Sequence, residues 1–120
     1  NIDRFTGGDR QIVVVCEGLI DAILVDGVSV MGNSVTPEQA HLIDKLGIRV
    51  VLCRDRDRPG KQLIEQAVEL GWDVSFPPWS HDCKDAGDAV TKYGRLLTLS
   101  SIMEHATSNK IKIQVKTKMI

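Results

Sequence analysis

Two stretches of this chain, Ile12 to Cys16 and Ile48 to Cys53, are rich in β-branched residues and do not alternate apolar with polar side chains. A strand that alternates wets one of its faces, whereas a strand that does not must be covered on both. Such strands belong in a sheet sandwiched between helices, and the intervening sequence supplies them. After Glu17-Gly18, the residues Leu19, Ile20, Ile23 and Leu24 recur at helical spacing. A second short apolar run, Val28 to Met31, stops at Gly32-Asn33-Ser34. Thr36 then precedes Pro37 with Gln39 at the third helical position, the pattern of an N-cap with a reciprocal side-chain bond. Leu42, Ile43 and Leu46 carry that helix to Gly47. Beyond the strand ending at Cys53 comes the polar turn Asp55 to Gly60. Next are a helix bearing Leu63, Ile64, Ala67, Val68 and Leu70, and a fourth strand from Trp72 to Phe76.

Strand and helix in alternation specify an open, mainly parallel four-stranded α/β sheet with helices on both faces. Helical stretches are expected from about Gly87 to Tyr93 and from Leu96 to Ala106. The segment Lys110 to Lys118 alternates lysine or glutamine with Ile111, Ile113 and Val115, and reads as a basic edge strand or a linker. Residues 1–109 are read as one domain with its core at about 11–94, and 110–120 as an appendage leading to a further domain. The absence of an initiator methionine at Asn1 gives the same expectation of a piece of a longer protein.

Composition narrows the function. The chain has 120 residues, 42% hydrophobic and 26% charged, with a net charge of −1, too near neutrality for it to hold nucleic acid by bulk charge alone. That average hides an asymmetry. Residues 1–109 carry 11 basic and 16 acidic side chains, a net of −5, while the last eleven carry four lysines and no acid. Cys16, Cys53 and Cys83 have no CxxC spacing and read as reduced thiols, which points to a cytoplasmic protein; no apolar run approaches membrane-spanning length. Trp72 and Trp79 read as packing residues.

The acids fall where an α/β sheet places its ligands, outside the carboxyl ends of strands. Glu17 follows the first strand with Asp21 one helical turn on, Asp55 and Asp57 follow the third, and Asp85 and Asp88 lie beyond the fourth. Carboxylates crowded together repel unless a cation lies between them, and all-oxygen donor sets suit Mg²⁺ or Mn²⁺. Each acid also has a simpler reading: Glu17 or Asp88 as a helix-start acid, Asp85 as the loop partner of Lys84. Arg54, Arg56 and Arg58 serve either substrate phosphate or the neighbouring aspartates, and Lys61 and Lys84 are either phosphate contacts or solvated cations.

The string Val13-Val14-Val15-Cys16-Glu17-Gly18-Leu19-Ile20-Asp21, followed 34 residues after Asp21 by Asp55-Arg56-Asp57-Arg58-Pro59-Gly60, resembles the Toprim domain of topoisomerases, bacterial-type primases and certain nucleases. Met31 to Gln39 and Lys84-Asp85-Ala86-Gly87-Asp88 are most similar to stretches of bacterial and bacteriophage primases. The resemblance implies a Rossmann-like fold and divalent metal held by Asp55 and Asp57, joined by Asp88 or Asp85. Glu17 would be metal ligand or general acid/base, Gly18 would admit phosphate close to the backbone, and Asp21 would complete the acidic rim. Arg58, Lys61, Lys84 and Asp85 are candidate substrate contacts. The implied reaction is nucleotidyl transfer from nucleoside triphosphates in RNA primer synthesis. Single-stranded DNA template and RNA primer would be held by other domains, and a replicative helicase is a candidate partner. The alternatives are a metal-dependent nuclease using the same acids and a noncatalytic receiver-like or docking module.

Overall fold

The computed structural model describes residues 12–30, 34–53 and 61–118. In chain order they form β1 (Ile12–Cys16), α1 (Leu19–Val25), β2 (Val28–Ser29), α2 (Pro37–Asp44), β3 (Arg49–Cys53) and α3 (Lys61–Glu69). There follow β4 (Asp73–Ser75), α4 (Ala86–Tyr93), α5 (Arg95–Glu104), β5 (Ala106–Thr107) and α6 (Lys110–Lys118). One sheet in the order β2-β1-β3-β4-β5 collects all five strands. The first four run parallel, and β5 joins β4 antiparallel.

The alternation of side chains along β1 and β3 divides the interior in two. Val13, Val15, Val50 and Leu52 point to one face and pack with Ile43 of α2, Leu63 and Ile64 of α3, and Ile113 of α6. Val14, Cys16, Val51 and Cys53 point to the other, where they meet Ala22 and Val25 of α1, Ala86 and Ala89 of α4, and Ile102 of α5. Both central strands are therefore dry on both sides, as their unbroken apolar sequences require. The topology explains which helix lies where. From β1 the chain steps outward to β2 and then returns past β1 to β3, and a right-handed crossover that reverses direction changes faces. Cys16, Cys53 and Cys83 are buried and form no disulfide with one another. Trp72 and Trp79 are 4% and 8% exposed, in keeping with their reading as packing residues, and the Trp72 indole donates to Asp44 Oδ1 at 3.0 Å.

Two expectations change. The sheet has five strands because Ala106 and Thr107 leave the helical pattern and pair with Ser75 and Val74; a two-residue strand is too short to carry a periodic signal. The segment Lys110 to Lys118 is helix, not edge strand. Its alternating pattern favours a strand locally, but β5 already occupies the outer edge of β4. Asn109 starts the helix instead, its Oδ1 accepting from Lys112 N at 3.0 Å. Only Ile113 of the three alternating residues is buried, at 2% exposure, whereas Ile111 and Val115 stay exposed. No helix among the described residues is long and apolar enough to cross a membrane.

The expected start of α2 is present. Thr36 Oγ1 accepts from Gln39 N at 3.1 Å and Gln39 Oε1 accepts from Thr36 N at 2.9 Å. Gln66 of α3 braces the same turn, accepting from Val35 N at 2.8 Å and donating to Val35 O at 3.2 Å. Replacing Thr36 by alanine leaves the Gln39 amide without its cap and is expected to lower the unfolding free energy by about 1 kcal/mol in urea titrations, while Thr36→Ser retains most of it.

Candidate metal centre

The parallel strands end level with one another. Cys16 pairs with Ser29 on one side and with Cys53 on the other, and Cys53 pairs with Ser75. The residues that leave β1 and β3 at this edge, Glu17 and residue 54, thus start from neighbouring strand ends. These two strands also flank the point where the chain reverses its direction of travel across the sheet, the usual place for a ligand crevice. Glu17 is only 3% exposed. Its carbonyl accepts from Ser29 Oγ at 3.2 Å, and Val30 N donates to Cys16 O at 3.0 Å, so the turn out of β1 is tied to β2. Asp55, Asp57 and Arg58, with Arg54 and Arg56, lie outside the described residues.

Asp21 has a more defined place than the acidic rim expected for it. Its carboxylate is 8% exposed, and Oδ1 accepts from Gly87 N at 2.8 Å. Gly87 sits in the first turn of α4, where backbone N–H groups lack helical partners and favour negative charge. The acid of α1 therefore clamps the start of α4, across 66 residues of sequence. Two glycines make the space. A Cβ on Gly18 would lie 2.8 Å from Asp21 Oδ2, and one on Gly87 would lie 2.6 Å from Asp21 Oδ1. In this geometry Gly18 admits the Asp21 carboxylate, a role the sequence alone did not indicate.

The remaining acids of the loop serve the same helix end. Asp85 is the N-cap of α4, its Oδ1 accepting from Asp88 N at 2.8 Å, and Asp88 Oδ2 accepts from Lys84 N at 3.1 Å. A shallow groove of about 650 Å³ runs past them, lined by Gly18, Leu19, Ile20 and Asp21 on one side and by Asp85, Asp88 and Thr91 on the other, so Asp21 shares this rim with the two later acids. Lys61, exposed, opens α3 four residues after Asp57 in the sequence. Among the described residues no three His, Cys, Asp or Glu side chains are arranged to hold a metal ion. A metal centre at this edge therefore requires Asp55 and Asp57 beside Glu17. The donor chemistry fits, because all three are hard oxygen ligands and the strand register starts their segments side by side.

A polar network beyond β4 escaped the sequence reading. Ser80 Oγ donates to Asp82 Oδ1 at 2.6 Å and lies 2.9 Å from Tyr93 Oη. Lys92 Nζ reaches Ser80 Oγ at 2.8 Å and the two Asp82 oxygens at 3.0 and 3.1 Å. The hydrogen bonds from Ser80 and Lys92 hold the Asp82 carboxyl down at about 2 against an ordinary 3.8, and Asp82 in turn raises Lys92. This ties the 80–83 turn to the far end of α4. No motif announces it, since its members are common surface residues separated by about three helical turns of sequence.

Residues 14–91 match the family model described as Toprim-like. The chain belongs to the Toprim-like family. The Toprim segment thus runs from β1 into α4 and contains every acid considered above. Three relatives are named DNA primase. That of Enterococcus faecalis is 34% identical over 110 residues, covering 78% of this chain and 17% of the relative. That of Halalkalibacterium halodurans is 31% identical over 91 residues, covering 68% and 15%. That of Campylobacter jejuni is 29% identical over 76 residues, covering 58% and 13%. This Toprim chain spans less than a fifth of the length of each. Its fold is similar to that of the Aquifex aeolicus primase zinc-binding and RNA polymerase domains, with a TM-score of 0.62 at 20% identity over 81% of this chain and 26% of that one.

The Asp21 clamp predicts losses that do not add. Asp21→Ala removes a charge-assisted bond and is expected to cost roughly 1.5–3 kcal/mol. Gly87→Ala in the native background drives a methyl into the carboxylate and is expected to cost about 1–3 kcal/mol. Combined with Asp21→Ala, the same Gly87→Ala becomes close to neutral, because the 2.6 Å clash is gone, only Asp85 Oδ1 at 3.3 Å remains tight, and alanine is the better helix former. Urea denaturation of the two single variants and the double variant reads this directly, and additive losses would refute it.

For Asp82 the folded-state value lies below the unfolded one, so its contribution to stability is complete above about pH 4 and is lost as pH falls through about 2. A carboxyl-carbon NMR titration is expected to place the Asp82 midpoint near 2, and Ser80→Ala is expected to move it upward.

Proposed function

We propose that this chain is the metal-binding Toprim core of a DNA primase, catalysing nucleotidyl transfer for RNA primer synthesis in DNA replication. In this reading Glu17, Asp55 and Asp57, with Asp88 at the rim, hold Mg²⁺ or Mn²⁺ beside the triphosphate of an incoming nucleotide. The observation that carries it is the register of Cys16 with Cys53, which starts the Glu17 and Asp55 segments from adjacent strand ends at the reversal point of the sheet. Similarity to three proteins named DNA primase supports primase over nuclease. It equally supports an enzyme over a receiver-like module.

The chain's own residues would then divide the work. Glu17, held at the mouth of β1, supplies one carboxylate and is the candidate general acid/base. Arg58, which precedes α3 in the sequence, and Lys61 at its start are the candidate cationic contacts to phosphate from that side; Lys84 is the candidate from the α4 side, next to Asp85, whose carboxylate caps α4. Asp21, through Gly87, fixes α4 and hence the position of Asp88 relative to β1. A bound divalent ion supplies charge neutralisation at the transferring phosphate. Template DNA and the growing primer would be held by further parts of the longer enzyme, in a bacterial or phage-infected cytoplasm, with a replicative helicase as candidate partner. The 120-residue chain is accordingly expected to bind metal but to make no primer by itself.

Millimolar Mg²⁺ or Mn²⁺ is expected to raise the Tm. At a concentration one hundred times the Kd the gain is about 2.7 kcal/mol. Asp57→Asn is expected to abolish that increment while leaving the metal-free Tm within about a degree or raising it, since one repelling charge is removed. A wild-type melting curve indifferent to both ions would overturn the proposal.

A further inference from the structure

We propose that α6 is a binding face for single-stranded nucleic acid carried by this chain itself, in addition to the contacts that further parts of a longer enzyme would make. The choice of nucleic acid as the occupant rests on the primase reading above, while the surface itself stands on independent observations. The last acid in the sequence is Glu104, and the sixteen residues after it contain Lys110, Lys112, Lys116 and Lys118 with no counter-charge. This segment lies outside residues 14–91, which match the family model.

The fold delivers the segment to the acidic edge. β5 runs antiparallel to β4, away from the carboxyl ends of the strands, and α6 then turns back. Lys116 ends beside Phe76, the first residue after β4, with Nζ 5.9 Å from the ring centroid. The buried Ile113 fixes which side of α6 faces inward. Lys110 and Lys112 are exposed, and among the described residues neither they nor Lys116 pairs with a carboxylate. Arg49 and Lys92, in contrast, are matched by Asp73 and Asp82. The groove of about 500 Å³ between α6 and α3 also holds Glu65 and Glu69, which disfavours a polyanion on its floor. Lys61 and Lys110 line that groove beside the glutamates, so the path that charge permits runs from Lys110 along the exposed Lys112 and on to Lys116 at the strand ends.

Ile111 and Val115 select the form of the nucleic acid. They are 73% and 53% exposed, four residues apart on one stripe of the helix and set among the lysines. A single strand can present the faces of its bases to such apolar side chains, whereas in a duplex those faces are stacked away inside the helix.

The test uses the 120-residue chain in EDTA at ~50 mM salt, with a fluorescein-labelled oligothymidine read by anisotropy. Affinity is expected to fall with salt with a log–log slope of about −2, for three phosphates at about −0.7 each. The combined variant Lys110→Gln, Lys112→Gln, Lys116→Gln is expected to flatten that slope and weaken binding by at least about tenfold. Ile111→Ser, which disturbs no buried surface, is expected to weaken binding without altering the slope. Lys45→Gln, at the end of α2, is expected to change neither. Wild-type-like binding by the triple variant, no binding by the wild type, equal binding of a duplex, or equal displacement by polyglutamate would each overturn the proposal, the last in favour of an acidic protein partner. Because EDTA removes any metal, a chain that ignores Mg²⁺ in melting but still binds the oligonucleotide would overturn the metal centre and leave this surface standing.

Discussion

Everything in this molecule follows from two strands that are dry on both faces. β1 and β3 present Val13, Val15, Val50 and Leu52 to one helical layer and Val14, Cys16, Val51 and Cys53 to the other. An acid placed within either strand would be buried without solvent and would cost several kcal/mol unless paired. Polar chemistry is thereby confined to the strand ends, and it is there that the chain changes character, from Cys16 to Glu17 and from Cys53 to Arg54 and Asp55. The chemistry of the edge is a consequence of the dryness of the middle.

The acids near that edge divide by what their oxygens already do. Asp21 is committed to the start of α4 through Gly87, Asp85 caps the same helix, and Asp88 accepts from the Lys84 backbone. These three organise one helix N-terminus, a place that attracts carboxylates without any ligand. Glu17 leaves the sheet directly from β1, and Asp55 and Asp57 follow the end of β3 in the sequence. The division separates the acids that hold α4 in place from those that follow the two central strands in the sequence. Asp88 stands between the two groups, exposed and bound on one oxygen.

Much of the fold was legible because it rests on patterns of adequate length. β1 and β3 are five residues each with continuous apolar character, and the Thr36-Pro37-Gln39 start of α2 is a local motif whose partners lie three residues apart. Elements that depend on distant partners were not legible. β5 is two residues long and exists because β4 offers an open edge. The Lys110 to Lys118 segment has a strand's alternation, yet it becomes helix once that edge is taken and Ile113 finds the core beside α3. At the site, the spacing of the acids disclosed which strand ends matter, but not that Asp21 would reach Gly87 across the fold. Two glycines, each explicable as a turn residue, define that pocket only when seen together.

The sheet's two outermost strands, β2 and β5, are each only two residues long. Unpaired backbone at a sheet margin is the template on which chains of other copies add strands, and short margins offer too few sites for such growth to nucleate. The architecture therefore leaves the five-residue strands, the segments with the highest tendency to recruit others, sealed in the centre while the periphery carries little that a second copy can extend. The apolar surface that remains open among the described residues lies on helices instead, as at Leu96 and Leu97 of α5, 82% and 64% exposed.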